Sequence, residues 1–369
     1  MTVLDLPDFP WDSLARYKAR ASAHPDGIVD LSVGTPVDPT PEIVQRALAA
    51  AANAPGYPQT IGTPELRTAL TEWFARRRGV TIAADAVLPT IGSKELVAWL
   101  PTLLGLGPGD IVGIPAIAYP TYDVGARIAG ADPVVVQSLT SLGPLTAATT
   151  PKLLWVNSPG NPTGQVLGVE HLRKVVDWAR AHGVVVASDE CYAELDWRPG
   201  RVGRATPSIL HPDVCGESHD GLLALYSLSK QSNLAGYRAA FVGGDPALVQ
   251  RILEVRKHAG MMMPTPVQHA TAVALRDDAH VVAQRATYGR RRERLVTAVE
   301  RAGLRIEYSE AGLYLWATRG EDCWRTVADL ADMGILVAPG SFYGPLGERH
   351  VRIGLTATDE RIDAACARL

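Results

Sequence analysis

Short apolar runs alternate with longer helical runs along most of this chain, and this pattern restricts the possible folds more than any other feature. The apolar runs that we predict as strands are Ala86–Thr90, Ile111–Pro115, Pro133–Gln137, Lys152–Asn157, Val184–Ser188, Leu222–Ser227 and Ala239–Val242. The helical runs include Pro41–Ala51, Pro64–Arg77, Ser93–Leu104 and Val169–His182. Strands that alternate with helices are typical of a mostly parallel sheet flanked by helices. We therefore expect an α/β fold.

The pattern changes after residue 280, where shorter elements of mixed type follow a long charged helix. The predicted order is a helix at Gln284–Arg305, the segment Gly312–Ala317, a helix near Asp322–Met333, a strand at Ile335–Ala338, and the segment His350–Leu355, which contains the strand Val351-Arg352-Ile353. A chain of 369 residues suits two packed domains. We expect a large domain at 41–280, and a smaller α+β domain built from 1–40 and 281–369.

Charge and cysteine content exclude several classes of function. The net charge of -3 gives no electrostatic support for a nucleic-acid partner. The four cysteines form no C-x-x-C pair, which argues against a zinc site and fits a reducing cytoplasm. No apolar run reaches the roughly 18 residues of a membrane helix, and the first residues lack a signal layout. We expect a soluble cytoplasmic protein without metal, membrane or nucleic-acid partners.

The basic run Arg76-Arg77-Arg78 closes a helical pattern just before Gly79. Cations at the last turn of a helix interact favourably with its dipole, and such runs are usually solvated. We predict that these three arginines form a solvated helix end.

Polar side chains follow four of the predicted strands at their carboxyl ends. The segments are Gly92-Ser93-Lys94, Ser158 to Gly164 with Asn161 at its centre, Asp189 to Tyr192, and Ser227 to Lys230. Ligands of open α/β sheets bind beyond the carboxyl ends of the strands. The sequence therefore predicts one site that gathers a lysine, an acid, a phenol, an amide and several hydroxyls.

These segments read S-P-G-N-P-T-G, S-D-E-C-Y and S-L-S-K, and Arg238 follows Lys230 by eight residues. In this order they resemble the class I/II aminotransferases of fold type I, which depend on pyridoxal 5'-phosphate (PLP). The resemblance covers almost the whole chain, from Val33-Gly34-Thr35-Pro36 to Val351-Arg352-Ile353. It implies a large domain with a mostly parallel sheet and a smaller α+β domain. It also implies a homodimer that acts on amino acids and 2-oxo acids.

The resemblance implies that Lys230 holds PLP as a Schiff base and later carries a proton between the substrate α-carbon and the cofactor. Partial desolvation or cationic neighbours lower the pKa of a lysine and supply its free amine. Asp189 would keep the ring nitrogen protonated, which makes the ring an electron sink. Tyr192 and Asn161 would bind the ring oxygen. The alternatives are a surface lysine, a helix N-cap for Asp189, a core tyrosine and a turn asparagine.

The phosphate of PLP needs a site for a dianion. Ser93 and Lys94 stand where a helix begins, so their backbone N–H groups would face the phosphate. Ser227 and Arg238 match further phosphate ligands of the family, and a guanidinium suits bidentate contact with an oxyanion. The resemblance also assigns to this site Tyr57 from the other subunit of the dimer. A structural ion pair for Arg238 and a turn role for Tyr57 are the alternatives.

Three further residues complete the set that the resemblance implies. Tyr119 would stack on the cofactor ring, with nearby Tyr122 as the rival position. Arg352 would grip the substrate α-carboxylate with its planar fork, unless it forms a structural ion pair. Gly34 would let the backbone approach that carboxylate closely.

A narrower resemblance concerns the substrate. Four segments resemble the actinobacterial succinyldiaminopimelate transaminases of lysine biosynthesis, namely Phe9 to Asp12, Asp30 to Pro41, Gly260 to Pro264 and Ser309 to Trp316. This implies amino transfer between N-succinyl-LL-2,6-diaminopimelate and 2-oxoglutarate. Both substrates carry a distal anion, so a second cationic or N–H-rich patch is expected at the cleft, and its residues stay open.

Two other classes compete with this reading. Another fold type I PLP enzyme, such as an aspartate or aromatic aminotransferase or a carbon–sulfur lyase, would share the same motifs, because fold does not select the reaction. The PLP-binding half of a transcription regulator would need a DNA-binding domain before Val33-Gly34. Only about 30 residues precede that motif, too few for such a domain.

Overall fold

The computed structural model describes residues 6–142, 145–201 and 205–369. The strands are β1 (Val29–Asp30), β2 (Val87–Ile91), β3 (Ile111–Pro115), β4 (Asp132–Val136), β5 (Leu153–Asn157), β6 (Val185–Asp189), β7 (Leu222–Ser227), β8 (Ala239–Gly244), β9 (Arg305–Glu307), β10 (Tyr314–Thr318), β11 (Ile335–Leu336), β12 (Ala338–Pro339) and β13 (Val351–Gly354).

The α-helices are α1 (Ala15–Ser22), α2 (Glu42–Ala50), α3 (Pro64–Trp73), α4 (Ser93–Leu103), α5 (Thr121–Ala129), α6 (Val169–His182), α7 (Pro212–Cys215), α8 (Leu228–Gln231), α9 (Pro246–Ala259), α10 (Thr265–Arg276), α11 (Ala279–Arg301), α12 (Cys323–Asp332) and α13 (Asp359–Arg368). Short 3₁₀-helices lie at Pro10–Leu14, Leu139–Leu142, Gly340–Tyr343 and Pro345–Gly347, and a π-helical turn lies at Phe74–Arg78.

In the described part of the chain, seven strands form the central sheet in the order β2-β8-β7-β6-β5-β3-β4. Strand β8 runs antiparallel to both of its neighbours, and the other pairs are parallel. Strands β7 and β8 are buried along their whole length, as expected for a sheet covered on both faces. The predicted α/β fold is confirmed, and the seven predicted strands are those of this sheet.

A second, antiparallel sheet has the order β12-β13-β10-β9, and a parallel pair joins β1 to β11. The single strand predicted at Ile335–Ala338 is therefore wrong, because its residues divide between the two sheets. The β1–β11 pair hydrogen-bonds the N-terminal segment to the C-terminal one. On that ground we propose that residues 1–40 and 281–369 act as one small domain.

Helices pack against the central sheet through apolar side chains. Trp73 at the end of α3 packs against Tyr226 of β7 and Phe241 of β8, with ring centroids 4.5 Å and 5.1 Å away. Burial of each such side chain contributes about 1.5–3 kcal/mol. This packing holds the carboxyl end of β7, where the polar segments lie, in a fixed place.

The basic run at the end of α3 does not form a solvated helix end, so that prediction is wrong for two of its members. The π-helical turn at Phe74–Arg78 carries Arg78 into the core, where its Nη2 lies 2.6 Å from Oε2 of Glu190. Arg77 pairs with Glu194 and is also largely buried. The reason is long-range: both acids belong to the segment after β6, more than 100 residues away.

No helix within the described residues is long and apolar enough to cross a lipid bilayer. The described residues also contain no group of three side chains that could hold a metal ion.

Candidate active site

A cavity of about 520 Å³ opens at the carboxyl edge of the central sheet. Eleven of the twelve residues that the sequence predicts as site residues line it: Gly34, Ser93, Lys94, Tyr119, Asn161, Asp189, Tyr192, Ser227, Lys230, Arg238 and Arg352. Tyr57 lies outside it and is 97% exposed. The sequence prediction for Tyr57 required a second subunit, so it stays a prediction.

Lys230 lies in the short helix α8, directly after β7. The hydroxyl of Ser227 caps this helix by accepting from the N–H of Ser229 at 3.2 Å. The Nζ of Lys230 donates a hydrogen bond to the carbonyl oxygen of Gly34, which lies just after the β1 segment. Burial lowers the pKa of the Lys230 amine, and the positive charges of Arg352 and Arg238 act in the same direction. The neutral, nucleophilic amine is therefore easier to form here than in a lysine exposed to water.

Asp189 ends strand β6 and is buried. Its Oδ2 accepts a hydrogen bond from the hydroxyl of Tyr122 at 2.9 Å, and its Oδ1 accepts from the N–H of Cys191 at 3.2 Å. Burial raises the pKa of the Asp189 carboxyl. No ion pair among the described residues includes Asp189, so its charge can be met by a cation from outside the chain.

Tyr122 was considered from the sequence only as a rival for ring stacking. Its own ring stacks on Trp155, with centroids 4.8 Å apart and planes at 25°. That contact, together with full burial, directs its hydroxyl to Asp189. The pairing joins residues 67 apart in sequence and has no local signal that could have predicted it.

Arg352 projects from β13 into the cavity. Its Nη1 donates to Oδ1 of Asn161 at 3.0 Å, and its Nη2 donates to the carbonyl oxygen of Ser32 at 2.6 Å. The guanidinium lies 3.9 Å from the ring centroid of Tyr314. Within the described residues no carboxylate pairs with Arg352, so the positive charge is available to an anion. The structural ion pair considered as an alternative is absent there.

Tyr192 and Tyr314 meet between the two sheets, with their hydroxyl oxygens 3.3 Å apart. Tyr192 follows β6 of the central sheet, whereas Tyr314 begins β10 of the smaller sheet. The sequence named Tyr314 only within a resembling segment and gave it no role. The sequence did contain one usable signal. Alternate residues of a strand lie on the same face of a sheet, and this periodicity can show which residues of the segment around Tyr314 share its face.

One end of the cavity combines a helix start with a cation. Gly92, at φ 79°, precedes α4, and a Cβ built on it would lie 2.0 Å from Nη2 of Arg238. Only glycine therefore leaves room for the guanidinium at this helix start. The backbone N–H groups of Ser93 and Lys94, the hydroxyl of Ser227 and Arg238 are suited to a phosphate dianion.

The N-terminal arm also lines the cavity, through Phe9 and Trp11. The indole N–H of Trp11 is buried and has no hydrogen-bond partner among the described residues. The Nζ of Lys94 lies 5.5 Å from the ring centroid of Phe9. The sequence prediction gave Phe9 and Trp11 no role, and it used only the backbone N–H of Lys94, as a phosphate ligand. The reason is that the N-terminal arm and α4 come together only in the folded chain.

These features fit PLP. The cavity combines an amine whose pKa is lowered, a buried carboxylate without a cation, and a phosphate site where glycine and arginine are closely packed. The three groups match the aldehyde, the ring nitrogen and the phosphate of that cofactor.

Comparisons with known proteins agree with this geometry. The family model described as "Aminotransferase class I and II" matches residues 26–369. The 4-dedimethylamino-4-oxo-anhydrotetracycline transaminase OxyQ of Streptomyces rimosus is 58% identical over 365 residues, which cover 99% of each chain. A probable aminotransferase of Mycobacterium tuberculosis is 60% identical over 365 residues, 99% of this chain and 85% of that one.

Among solved structures, a probable N-succinyldiaminopimelate aminotransferase from Thermus thermophilus has a TM-score of 0.84 and is 28% identical. The match covers 98% of this chain and 100% of that one. The resemblance inferred from the sequence is confirmed for the family and its cofactor, whereas neither of the two relatives above is named for succinyldiaminopimelate. The chain belongs to the class I and II aminotransferases, which depend on PLP.

Proposed function

We propose that this aminotransferase exchanges the amino group between N-succinyl-LL-2,6-diaminopimelate and 2-oxoglutarate, in lysine and diaminopimelate biosynthesis. One observation carries the proposal: Arg352 and Lys94 line the same cavity as Lys230, and within the described residues no acidic side chain forms an ion pair with either. Two cations at one cavity suit substrates with an anion at each end. The solved structure from Thermus thermophilus with a related name supports the same substrate class.

Bound PLP supplies an electron sink that stabilises negative charge at the substrate α-carbon. Asp189 would hold the ring nitrogen in its protonated form, while Tyr192 and Asn161 bind the ring oxygen and Tyr119 packs on the ring. The phosphate ligands would be Ser93, Lys94 through its backbone, Ser227 and Arg238, with Tyr57 supplied by the other subunit of a homodimer.

Lys230 has two tasks in this proposal. Its neutral amine would hold the aldehyde of PLP when no substrate is bound. As a free amine, Lys230 would accept the proton of the substrate α-carbon and donate it again on the cofactor side. The lowered pKa of Lys230 supports both steps, because an ammonium ion could neither attack nor accept a proton. Product departure and entry of the second substrate give a ping-pong order.

Arg352 would bind the α-carboxylate and so direct the α-carbon toward Lys230. The contacts from its Nη1 to Asn161 and its Nη2 to Ser32 fix the plane of the guanidinium. Gly34 has no side chain, and a Cβ built there would lie 2.0 Å from the hydroxyl oxygen of Tyr314. Only glycine therefore leaves room for the Tyr314 hydroxyl here, and Gly34 would contact the carboxylate through its backbone.

Lys94 would bind the distal anion through its ammonium group. The side chain is exposed at the cavity and lies beside Phe9 of the N-terminal arm. The unpartnered indole N–H of Trp11 offers a second donor from the same arm. We assign the distal patch that the sequence left open to this pair.

A second candidate follows from the relative named for a tetracycline substrate. OxyQ is 58% identical over 99% of both chains, and its name gives an oxo-anhydrotetracycline as substrate. That acceptor carries a ring ketone in place of a 2-oxo acid. Arg352 would bind the α-carboxylate of the amino donor in either reaction, so the choice of acceptor decides between the two candidates.

The test is a comparison of acceptors with purified holoenzyme and glutamate as donor. The acceptors are N-succinyl-2-amino-6-oxopimelate, oxaloacetate, aromatic 2-oxo acids and the oxo-anhydrotetracycline. We expect the highest kcat/KM for the succinyl compound. A clear preference for any other acceptor would refute the assignment, and release of ammonia and pyruvate from a cysteine conjugate would indicate a lyase.

A Lys94→Met variant tests the distal site. A hydrogen bond to a charged group contributes roughly 1.5–3 kcal/mol, so kcat/KM for glutamate should fall about 10- to 100-fold. With alanine, which lacks a distal carboxylate, the value should stay unchanged. Lys174→Met on α6, also exposed but away from this cavity, is the matched control. An equal loss with glutamate and alanine would mean that Lys94 acts only at the phosphate.

A further inference from the structure

The buried hydroxyl of Tyr314 is a polar group that the proposed mechanism does not use. In the register of β10 and β13, Trp316 lies opposite Arg352, and Tyr314 lies opposite Gly354. Tyr314 and Trp316 are two residues apart, so Tyr314 shares a face with Arg352. Tyr314 therefore lines the cavity from the smaller sheet, and its side chain is only 5% exposed.

The Tyr314 hydroxyl lies where the groups around Lys230 converge. A Cβ on Gly34 would be 2.0 Å from the Tyr314 oxygen, and the carbonyl of the same Gly34 accepts from Lys230 Nζ. The hydroxyl of Tyr192 lies 3.3 Å away on the other side. The guanidinium of Arg352 fixes the ring from its face at 3.9 Å. The phenol oxygen is therefore close to both Gly34 and the Tyr192 hydroxyl.

The charges around this oxygen decide which of the two phenols ionises first. Burial by itself raises the pKa of Tyr314, but the positive charges of Arg352 and Lys230 and the bond from Tyr192 outweigh it, and the net shift is downward. Burial raises the pKa of Tyr192 well above its ordinary value. Tyr314 is therefore the first of the two to ionise, and its phenolate oxygen would accept from the Tyr192 hydroxyl.

We propose that Tyr314 is a positioning residue for Lys230: its oxygen, fixed by Tyr192 and Arg352, attracts the Lys230 amine and keeps it at Gly34 between its two proton transfers. The inference rests on the proposed role of Lys230. The Gly34 carbonyl would hold the Lys230 amine whenever that amine is not bound to the cofactor. The Gly34 carbonyl and the Tyr314 oxygen both favour the ammonium form that Lys230 acquires with the α-proton.

The groups that bear on the Lys230 charge come from several elements: Tyr314 of β10, Arg352 of β13, Cys191 after β6 and Arg238 after α8. Tyr314 and Cys191 raise the pKa of Lys230, whereas burial and the two arginines lower it. Removal of the Tyr314 oxygen should lower the pKa of Lys230 further. The neutral amine then forms at lower pH.

The test uses Tyr314→Phe, which removes one oxygen and keeps the ring beneath Arg352. The first readout is the rate of PLP uptake by the cofactor-free protein as a function of pH, followed by absorbance. This rate should rise with the neutral amine, and its midpoint should lie at lower pH in Tyr314→Phe. The second is kcat, which should fall while the KM for the amino donor stays unchanged, because Arg352 keeps its contacts.

Tyr343→Phe is the matched control. Its ring also lies near the Arg352 guanidinium, at 5.1 Å, and its buried hydroxyl has no hydrogen-bond partner in the part of the chain that the structure describes. It should reproduce the wild-type midpoint and kcat. A Tyr314→Phe midpoint and kcat equal to those of Tyr343→Phe would overturn the inference.

A third measurement keeps the inference testable if Tyr314→Phe does not fold. Ultraviolet difference titration of cofactor-free Tyr192→Phe follows phenolate formation. Loss of the Tyr192 donor should move the first phenolate to higher pH, and an unchanged titration would count against the Tyr192–Tyr314 bond.

The variant Lys230→Ala distinguishes a failure of the proposed role of Lys230 from a failure of the inference about Tyr314. If that variant takes up PLP as the wild type does, the proposed function of Lys230 fails; if only the tyrosine variants behave as wild type, this inference alone fails.

Discussion

Asp189 and Glu190 are consecutive acids at the end of β6, and they lie in opposite surroundings. Asp189 lines the cavity and receives hydrogen bonds from Tyr122 and Cys191, but it has no cationic partner within the described residues. Glu190 lies in the core, where Arg78 pairs with it and both side chains are at most 2% exposed. Its other oxygen accepts from Ser188 Oγ, Ser208 Oγ and the N–H of Ile209.

The comparison shows how one strand end serves both the site and the fold. Adjacent residues of a strand point to opposite sides of the sheet. The Glu190 carboxylate is neutralised by Arg78, so removal of Arg78 should lower the free energy of unfolding. The Asp189 carboxylate has no cationic partner within the described residues, so its loss should lower the rate of catalysis.

The largest effect is expected on the core side. Arg78→Met leaves Glu190 buried without its cation and should lower the free energy of unfolding by about 3–5 kcal/mol. Urea denaturation of the cofactor-free protein measures it. Arg46→Met removes the exposed ion pair with Glu42 and should cost only about 0.3–0.5 kcal/mol. A loss for Arg78→Met no greater than that for Arg46→Met would show that the buried pair does not stabilise the fold.

On the cavity side, Asp189→Asn should lower kcat by about 10²–10³-fold, the size typical of one lost electrostatic contact at a reacting centre. A neutral amide cannot keep the ring nitrogen of PLP protonated. The unfolding free energy of the cofactor-free protein should not fall, because a buried carboxylate without a cation is removed. Stopped-flow half-reactions and urea denaturation measure the two quantities.

Glu190→Gln is the matched change on the other side and should show the reverse pattern, with lower stability and a kcat close to that of the wild type. If both variants lose stability and activity to the same extent, the two carboxylates do not have separate tasks.

A smaller effect is expected from Tyr122→Phe, which removes one of the two hydrogen bonds to Asp189 and keeps the stacking on Trp155. A hydrogen bond to a charged group is worth roughly 1.5–3 kcal/mol, and partial compensation by Cys191 should leave a loss in kcat of about tenfold. Tyr226→Phe, which removes a buried phenol bond to Gln231 outside the cavity, should leave kcat unchanged. Equal kcat values for the two variants would mean that Tyr122 does not orient Asp189.

Most of the fold was predictable because its signals are local. The seven strands of the central sheet are apolar runs, and β3 and β7 have the predicted bounds. The residues that line the cavity follow strand ends, so sheet geometry alone predicts that they meet. The four-residue segment at 335–338 was mistaken for one strand because its pattern is continuous, whereas its hydrogen-bond partners belong to two sheets.

The sequence by itself determined the α/β architecture, the family and the residues gathered at the sheet edge, because short segments carry those signals. Tertiary structure alone decided which charges are neutralised. Arg78 meets Glu190 and Tyr122 meets Asp189 only after the chain brings together residues 112 and 67 positions apart. The roles of a buried acid and of a buried phenol depend on these partners, since burial without a partner shifts a pKa and burial with one fixes a charge.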